Sequence, residues 1–270
     1  MLSYKNIEKT KPMPTNIHAH VPYSRLSEQL EYIVTNRINP EVFFSAEVLD
    51  HLVWEELSAL AQVLHAAGLN TTIHAPFLDL NPGALDPFIR EATRRRVQQV
   101  FQAAEQLKPK VIVFHPGYDD LRYGGNRMDW LRNSIVFWSE FIPRAQEVGT
   151  IIAIENIFEK EPATLRELLV AINEPCFRHC FDVGHWNMFS TGTLDEWFSE
   201  LGAFISESHI HDNNGQADEH LPPGEGQINF TNLFGLLKQY APGAILTIEA
   251  HTIERLERAR IALKQHLTQA

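Results

Sequence analysis

Cysteine is scarce. Two residues in a chain of 270 cannot build a disulfide framework. Cys176 and Cys180 are spaced C-x₃-C, which matches neither a C-x₂-C redox pair nor a zinc ribbon, so two reduced thiols in or beside a buried strand are expected. Basic charge is also short, with 23 lysines and arginines against 34 acids and a net charge of −11. That balance argues against a nucleic-acid partner, which calls for a basic stripe along the phosphate backbone. Long apolar runs are missing: none reaches transmembrane length. The opening "MLSYKNIEKTKPMP" has no apolar core of signal-peptide length, so a cytoplasmic protein with no membrane partner is expected. No linker or low-complexity stretch divides the chain, and residues 1–270 read as a single domain. At this size folding buries about three quarters of the unfolded surface, enough to dispense with staples.

What is present is alternation. Short β-branched or aromatic runs precede longer runs with apolar residues at three-and-four spacing. The strand candidates are "NIHAH" (16–20), "EVFFSA" (41–46), "NTTIHAPF" (70–77), "KVIVFHPG" (110–117), "TIIAIENIF" (150–158), "FRHCFDVGHWN" (177–187), "ISESHIHDNN" (205–214) and "AILTIEAH" (244–251). Their near-continuous apolar character suits strands buried on both faces. Eight β-then-α units in about 250 residues predict an α/β fold, a single (β/α)₈ TIM barrel. The segment 213–227 is the longest irregular stretch within it, and such loops tend to be functional.

Histidine is plentiful, with 13 residues. His18, His20, His74, His115, His185, His209, His211 and His251 fall at or near the predicted strand ends, and His220 lies in the loop after the seventh strand. Barrel active sites form at that rim. Glu155, Asp182 and Glu249 end the fifth, sixth and eighth strands. Period-two alternation puts Glu155 on one face with Ala153, and Glu249 with Thr247. Any one of these side chains alone is more often a structural hydrogen-bond partner. Acids and imidazoles converging from several strands on one cavity point instead to a divalent metal.

The motifs "IHAPF", "FHPG", "IEN", "DVGH", "HIHD", "DEHLPPGEG" and "IEA", in this order, resemble the xylose-isomerase-like barrel superfamily, which includes endonuclease IV. The resemblance implies a first metal group of His74, His115 and Glu155. It implies a second of Glu155, Asp182, His209 and Glu249, and a third of His185, Asp218 and His220. One to three ions of zinc, manganese, cobalt or magnesium per chain would follow. His211 would be a substrate contact, and the glycines of "PPGEG" would let the loop turn back over the cavity.

Two chemistries share this scaffold. In the first, a sugar or sugar-phosphate isomerase or epimerase, the resemblance implies that one ion would stabilise an enediolate while Glu155 and Glu249 would exchange the proton and His185 would hold a hydroxyl. In the second, a trinuclear zinc phosphodiesterase like endonuclease IV, the full ligand set grips a phosphoester. The filled ligand positions favour the second. The loops favour the first: "ENIFEKEP" lacks the Gly-rich continuation of the repair enzymes, "DVGHWN" has the sugar-enzyme form, and Asn214 stands where those enzymes carry lysine. Gly215 replaces an arginine common in ketose epimerases. A small-molecule sugar or phosphoester substrate is expected. Trp186, Phe77 and Tyr118, each beside or just beyond a rim histidine, are candidates to wall the substrate cavity. Arg94, Arg95 and Arg96 read as a solvated helix face rather than a phosphate patch.

Overall fold

The computed structural model describes residues 16–269. The amino-terminal stretch read above for a leader lies outside them. Eight parallel strands close into a barrel in sequence order: β1 Ile17–Pro22, β2 Asn39–Phe43, β3 Thr72–His74, β4 Val111–Phe114, β5 Ile151–Glu155, β6 Phe177–Asp182, β7 Ile205–Ile210 and β8 Ile245–Ile248. A helix follows each strand and packs outside, as the alternating pattern predicts. Among the described residues no helix is long and apolar enough to cross a membrane.

The main apolar core lies between sheet and helices. Phe101 stacks on Phe141 at 5.7 Å, and Phe114 and Phe177 close on Trp138 at 5.0 and 5.9 Å. Each such ring contributes roughly 1.5–3 kcal/mol by leaving water. The long helix Pro87–Leu107 starts where Asp86 accepts from Phe88 N–H at 2.7 Å and Pro87 fits the first turn. On this helix Arg94 pairs with Glu91 and Glu140, and Arg96 with Asp50, so these two arginines of the run are tied up in ion pairs at the helix surface.

Inside the barrel the apolar cluster is small: Val111, Val113, Ala153 and Cys180, with Ile151 and Ile245 against it. Both cysteines are free, Cys180 being fully buried. Much of the rest of the interior is polar, with Phe43 packing against His20 and His74. Register sets His20 beside Glu41, Glu41 beside Thr72, Asp182 beside His209 and His209 beside Thr247. One expectation shifts. β1 runs on to Pro22, so His18 lies near its start, below the rim, with Nδ1 3.2 Å from Thr72 Oγ1. Burial lowers its pKa to about 4, and it stays neutral.

Candidate metal centre

Glu155 is buried at the end of β5 and is the hub of the site. Its Oε2 lies 3.3 Å from His74 Nε2 and 3.2 Å from His115 Nε2; its Oε1 lies 3.1 Å from His185 Nδ1 and 3.4 Å from His209 Nδ1. Glu249, just after β8, faces it. Its Oε1 is 3.4 Å from His209 Nδ1, and its Oε2 is 3.5 Å from His211 Nε2 and 3.7 Å from His220 Nδ1. Asp182 ends β6, with Oδ2 3.6 Å from His209 Nδ1 and 3.1 Å from His211 Nε2. Asp218 Oδ2 is 2.8 Å from His220 Nε2 and 3.7 Å from His185 Nε2.

Short-range sequence builds this arrangement. Asn156 and Asp182 clamp each other: Asn156 Nδ2 donates to Asp182 O at 2.8 Å and Asp182 N–H to Asn156 Oδ1 at 2.9 Å. The strand ends carrying Glu155 and Asp182 are thereby locked together. Asp182 also caps the helix Val183–Phe189, accepting His185 N–H at 2.6 Å, which sets His185 in that helix's first turn. After β7, Asp212 holds the long loop. Its carboxylate accepts the N–H groups of Asn213, Gly224, Gly226 and Ile228 at 2.8–3.1 Å. The glycines thus serve a clamp. Gly224 takes φ +89°, and a Cβ on Gly226 would collide with Asp212.

The electrostatics are mutual. Burial alone would raise the carboxyls of Glu155 and Asp182. The imidazoles outweigh it, chiefly His209 and His115 around Glu155, and His185 and His211 around Asp182, and hold both well below the usual range. Burial disfavours the charged form of His74, but the adjacent Glu155 carboxylate outweighs it and pushes the pKa up to about 9. At His115 burial prevails over Glu155 and lowers the pKa.

Every sequence-predicted metal residue lies at this centre. Glu155 Oε2 and the Nδ1 atoms of His209, His211 and His220 are buried and make no hydrogen bond. Atoms of that kind are rare unless something binds them. Ligand atoms of His74, His115 and Glu155 lie within 4.8 Å of one another, as do those of His74, His209 and Glu249, and those of His211, Asp218 and His220. Imidazole nitrogens and carboxylate oxygens so grouped fit a divalent ion. His211 stands with Asp218 and His220, beside the position expected for His185, and stacks on His220 at 4.3 Å.

The candidate cavity walls divide. Phe77 stacks on His115 at 4.3 Å. Tyr118 is buried against Trp130, with its hydroxyl donating to Asp120 at 2.7 Å. Trp186 packs on the core and donates its indole N–H to Gly192 O at 3.1 Å. Both of these polar hydrogens are already donated within the protein. Residues outside the predicted set also come into view. Glu41 on β2 touches His20 and His209. Glu207 on β7 hydrogen-bonds Thr247 and Thr72, and burial, then Glu41, push its carboxyl up to about 8. Glu159 is buried in the loop after β5, and burial pushes it up to about 7.

The profile of a family described as xylose isomerase-like TIM barrel matches residues 41–268. The uncharacterized protein MJ1311 of Methanocaldococcus jannaschii is 32% identical over 204 residues, covering 72% of this chain and 69% of that one. A probable endonuclease 4 of Mycobacterium leprae is 26% identical over 192 residues, covering 66% and 72%. Among solved structures, a D-tagatose 3-epimerase-like protein superposes with TM-score 0.81 at 27% identity, covering 93% of this chain and 97% of that one. The TTHB071 protein from Thermus thermophilus, soaked with ZnCl₂, superposes with TM-score 0.79 at 23% identity, covering 94% and 99%.

Proposed function

The chain belongs to the xylose isomerase-like TIM barrel family, and from that premise we propose that it is a divalent-metal-dependent enzyme that isomerises or epimerises a sugar or sugar phosphate. The observation that carries the reading is the carboxylate pair. Glu155 and Glu249 flank His209, each with an oxygen 3.4 Å from its Nδ1. Glu155, Asp182, His209 and Glu249 would hold the ion. When bound, it supplies positive charge where negative charge develops on the substrate oxygens.

The protein's own groups handle the proton. One of Glu155 and Glu249 takes it from a carbon beside a carbonyl, and the other returns one from the opposite face. His185, part-buried at the cavity edge, holds a substrate hydroxyl, and His211 is a further contact. Phe77 offers the apolar wall. The likeness to an epimerase-like protein at 27% identity supports this reading.

A second reading, hydrolysis of a small phosphoester by a zinc cluster, is favoured by the donors that one-ion proton transfer leaves idle: His74, His115, Asp218 and His220. The net charge of −11 favours a small substrate over DNA.

Metal content and isotope exchange decide between them. About one exchangeable ion per chain, with solvent deuterium entering ketoses or their phosphates, supports the isomerase or epimerase. About three zinc ions per chain, with phosphoester cleavage and no deuterium uptake, replaces it with the hydrolase. Glu155→Gln and Glu249→Gln are each expected to abolish turnover in folded protein. Full activity in both variants overturns the two readings together.

A further inference from the structure

Glu41 is fully buried in the middle of β2. Its two oxygens serve two histidines. Oε2 lies 2.9 Å from His20 Nδ1 on the neighbouring strand, and Oε1 lies 3.0 Å from His209 Nε2 across the barrel interior. The carboxyl of Glu207 lies close to both Glu41 and His209; its Oε1 accepts from the hydroxyls of Thr247 and Thr72, while its Oε2 makes no hydrogen bond. An ionised carboxylate only accepts hydrogen bonds, so each ring nitrogen facing Glu41 is the one that carries hydrogen. On His209 that leaves Nδ1. It is buried, makes no hydrogen bond, and stands 3.4 Å from Glu155, 3.4 Å from Glu249 and 3.6 Å from Asp182. A histidine held at one nitrogen by a carboxylate is oriented to ligate through the other.

We propose that Glu41 is a positioning residue: it fixes hydrogen on His209 Nε2 and sets the ring plane, so that Nδ1 is presented to a divalent ion among Glu155, Asp182 and Glu249. The same carboxylate orients His20, whose Nδ1 is also 3.8 Å from Glu249 Oε1. The proposal rests on the metal reading of the site. It adds a residue from the strand opposite the ligand cluster, outside every donor group that the sequence motifs imply.

Two measurements test it. Zinc affinity is measured on metal-free protein by competition with a chelating dye, for the natural chain and for Glu41→Gln, with circular dichroism and a thermal melt to establish folding. The variant keeps the size of the side chain but offers one acceptor in place of two. Its zinc affinity is expected to fall about 10–100-fold. A folded Glu41→Gln chain that binds zinc within about twofold of the natural one overturns the proposal.

The second measurement needs no variant. In ¹⁵N-histidine spectra of the natural chain, with and without zinc, His209 should show a slowly exchanging proton on Nε2. A bare Nε2 with the proton on Nδ1 overturns the proposal even where Glu41→Gln fails to fold. A natural chain that takes up no zinc overturns the metal reading, and the presentation of Nδ1 with it. Zinc uptake by the natural chain with unchanged affinity in the variant removes only the role of Glu41.

Discussion

Gly184 lies against the His211 ring, and a Cβ there would run into its Cε1, Nε2 and Nδ1 atoms. The absent methyl group is what lets His211 reach Asp182 and Glu249 together. Gly184→Ala must displace either the ring or the helix Val183–Phe189, at a cost of about 1–3 kcal/mol in stability. A thermal melt measures that loss, and zinc titration should show weaker uptake in the same variant. Glu159 tells a different story at the same scale. Its Oε2 accepts Ile157 N–H at 2.7 Å while Oε1 has no partner, and burial raises its pKa from 4.5 to about 7. The folded state therefore binds this proton more tightly than the unfolded state. The stability contributed is full below about pH 4.5 and is lost as pH rises through 7. Glu159→Gln mimics the protonated acid at every pH. Relative to the natural chain it should gain up to about 3 kcal/mol between acid and mildly alkaline solution. Urea melts at about pH 5 and about pH 8 read this directly, and a difference that does not change with pH refutes the assignment.

Among the elements, the loop after β7 carries the most chemistry per residue. Asp212 gathers four backbone N–H groups, and Arg255 pins the outer arm by donating to Glu219 O at 2.8 Å and His220 O at 3.4 Å. Asp218 and His220 ride on that arm. Asp212→Ala leaves four amides without their acceptor and should cost the loop about 3 kcal/mol or more in local stability. Hydrogen exchange over residues 212–228 should quicken, while β3 to β5, which bring His74, His115 and Glu155, stay protected. The elements were also the most legible part of the sequence. Parallel strands buried on both faces leave apolar runs that few other structures produce, and the rim donors were visible because they end those runs. Glu41 was hidden for the complementary reason. β2 begins at Asn39 rather than at the glutamate, so Glu41 sits one layer inside the barrel instead of at its bottom edge. His18 was misplaced because β1 extends two residues past the predicted end.

At the scale of the whole molecule, the barrel interior departs from the layered aliphatic packing usual in this fold. Val111, Val113, Ala153 and Cys180 make up the small apolar cluster within it, and above them lie imidazoles and carboxylates whose buried charges cost stability unless paired. An ion bound only by the folded chain should offset that cost. At a free zinc concentration a hundred times Kd, one site adds about 2.7 kcal/mol. For a chain of this size that corresponds to a rise in Tm of roughly 5–10 °C, reversed by a chelator. The gain must depend on pH, because zinc displaces protons from its ligands. His74 holds its proton to about pH 9, since Glu155 outweighs the effect of burial there, and His211 and His185 are raised by Asp182 against burial. Protons on these rings would compete with a bound ion, so zinc affinity is expected to rise as pH climbs toward 9. Calorimetric scans with zinc and with chelator should then show a Tm gap at about pH 8 that narrows by about pH 6. A gap of equal size at both would mean that the ion is held by groups outside this histidine cluster.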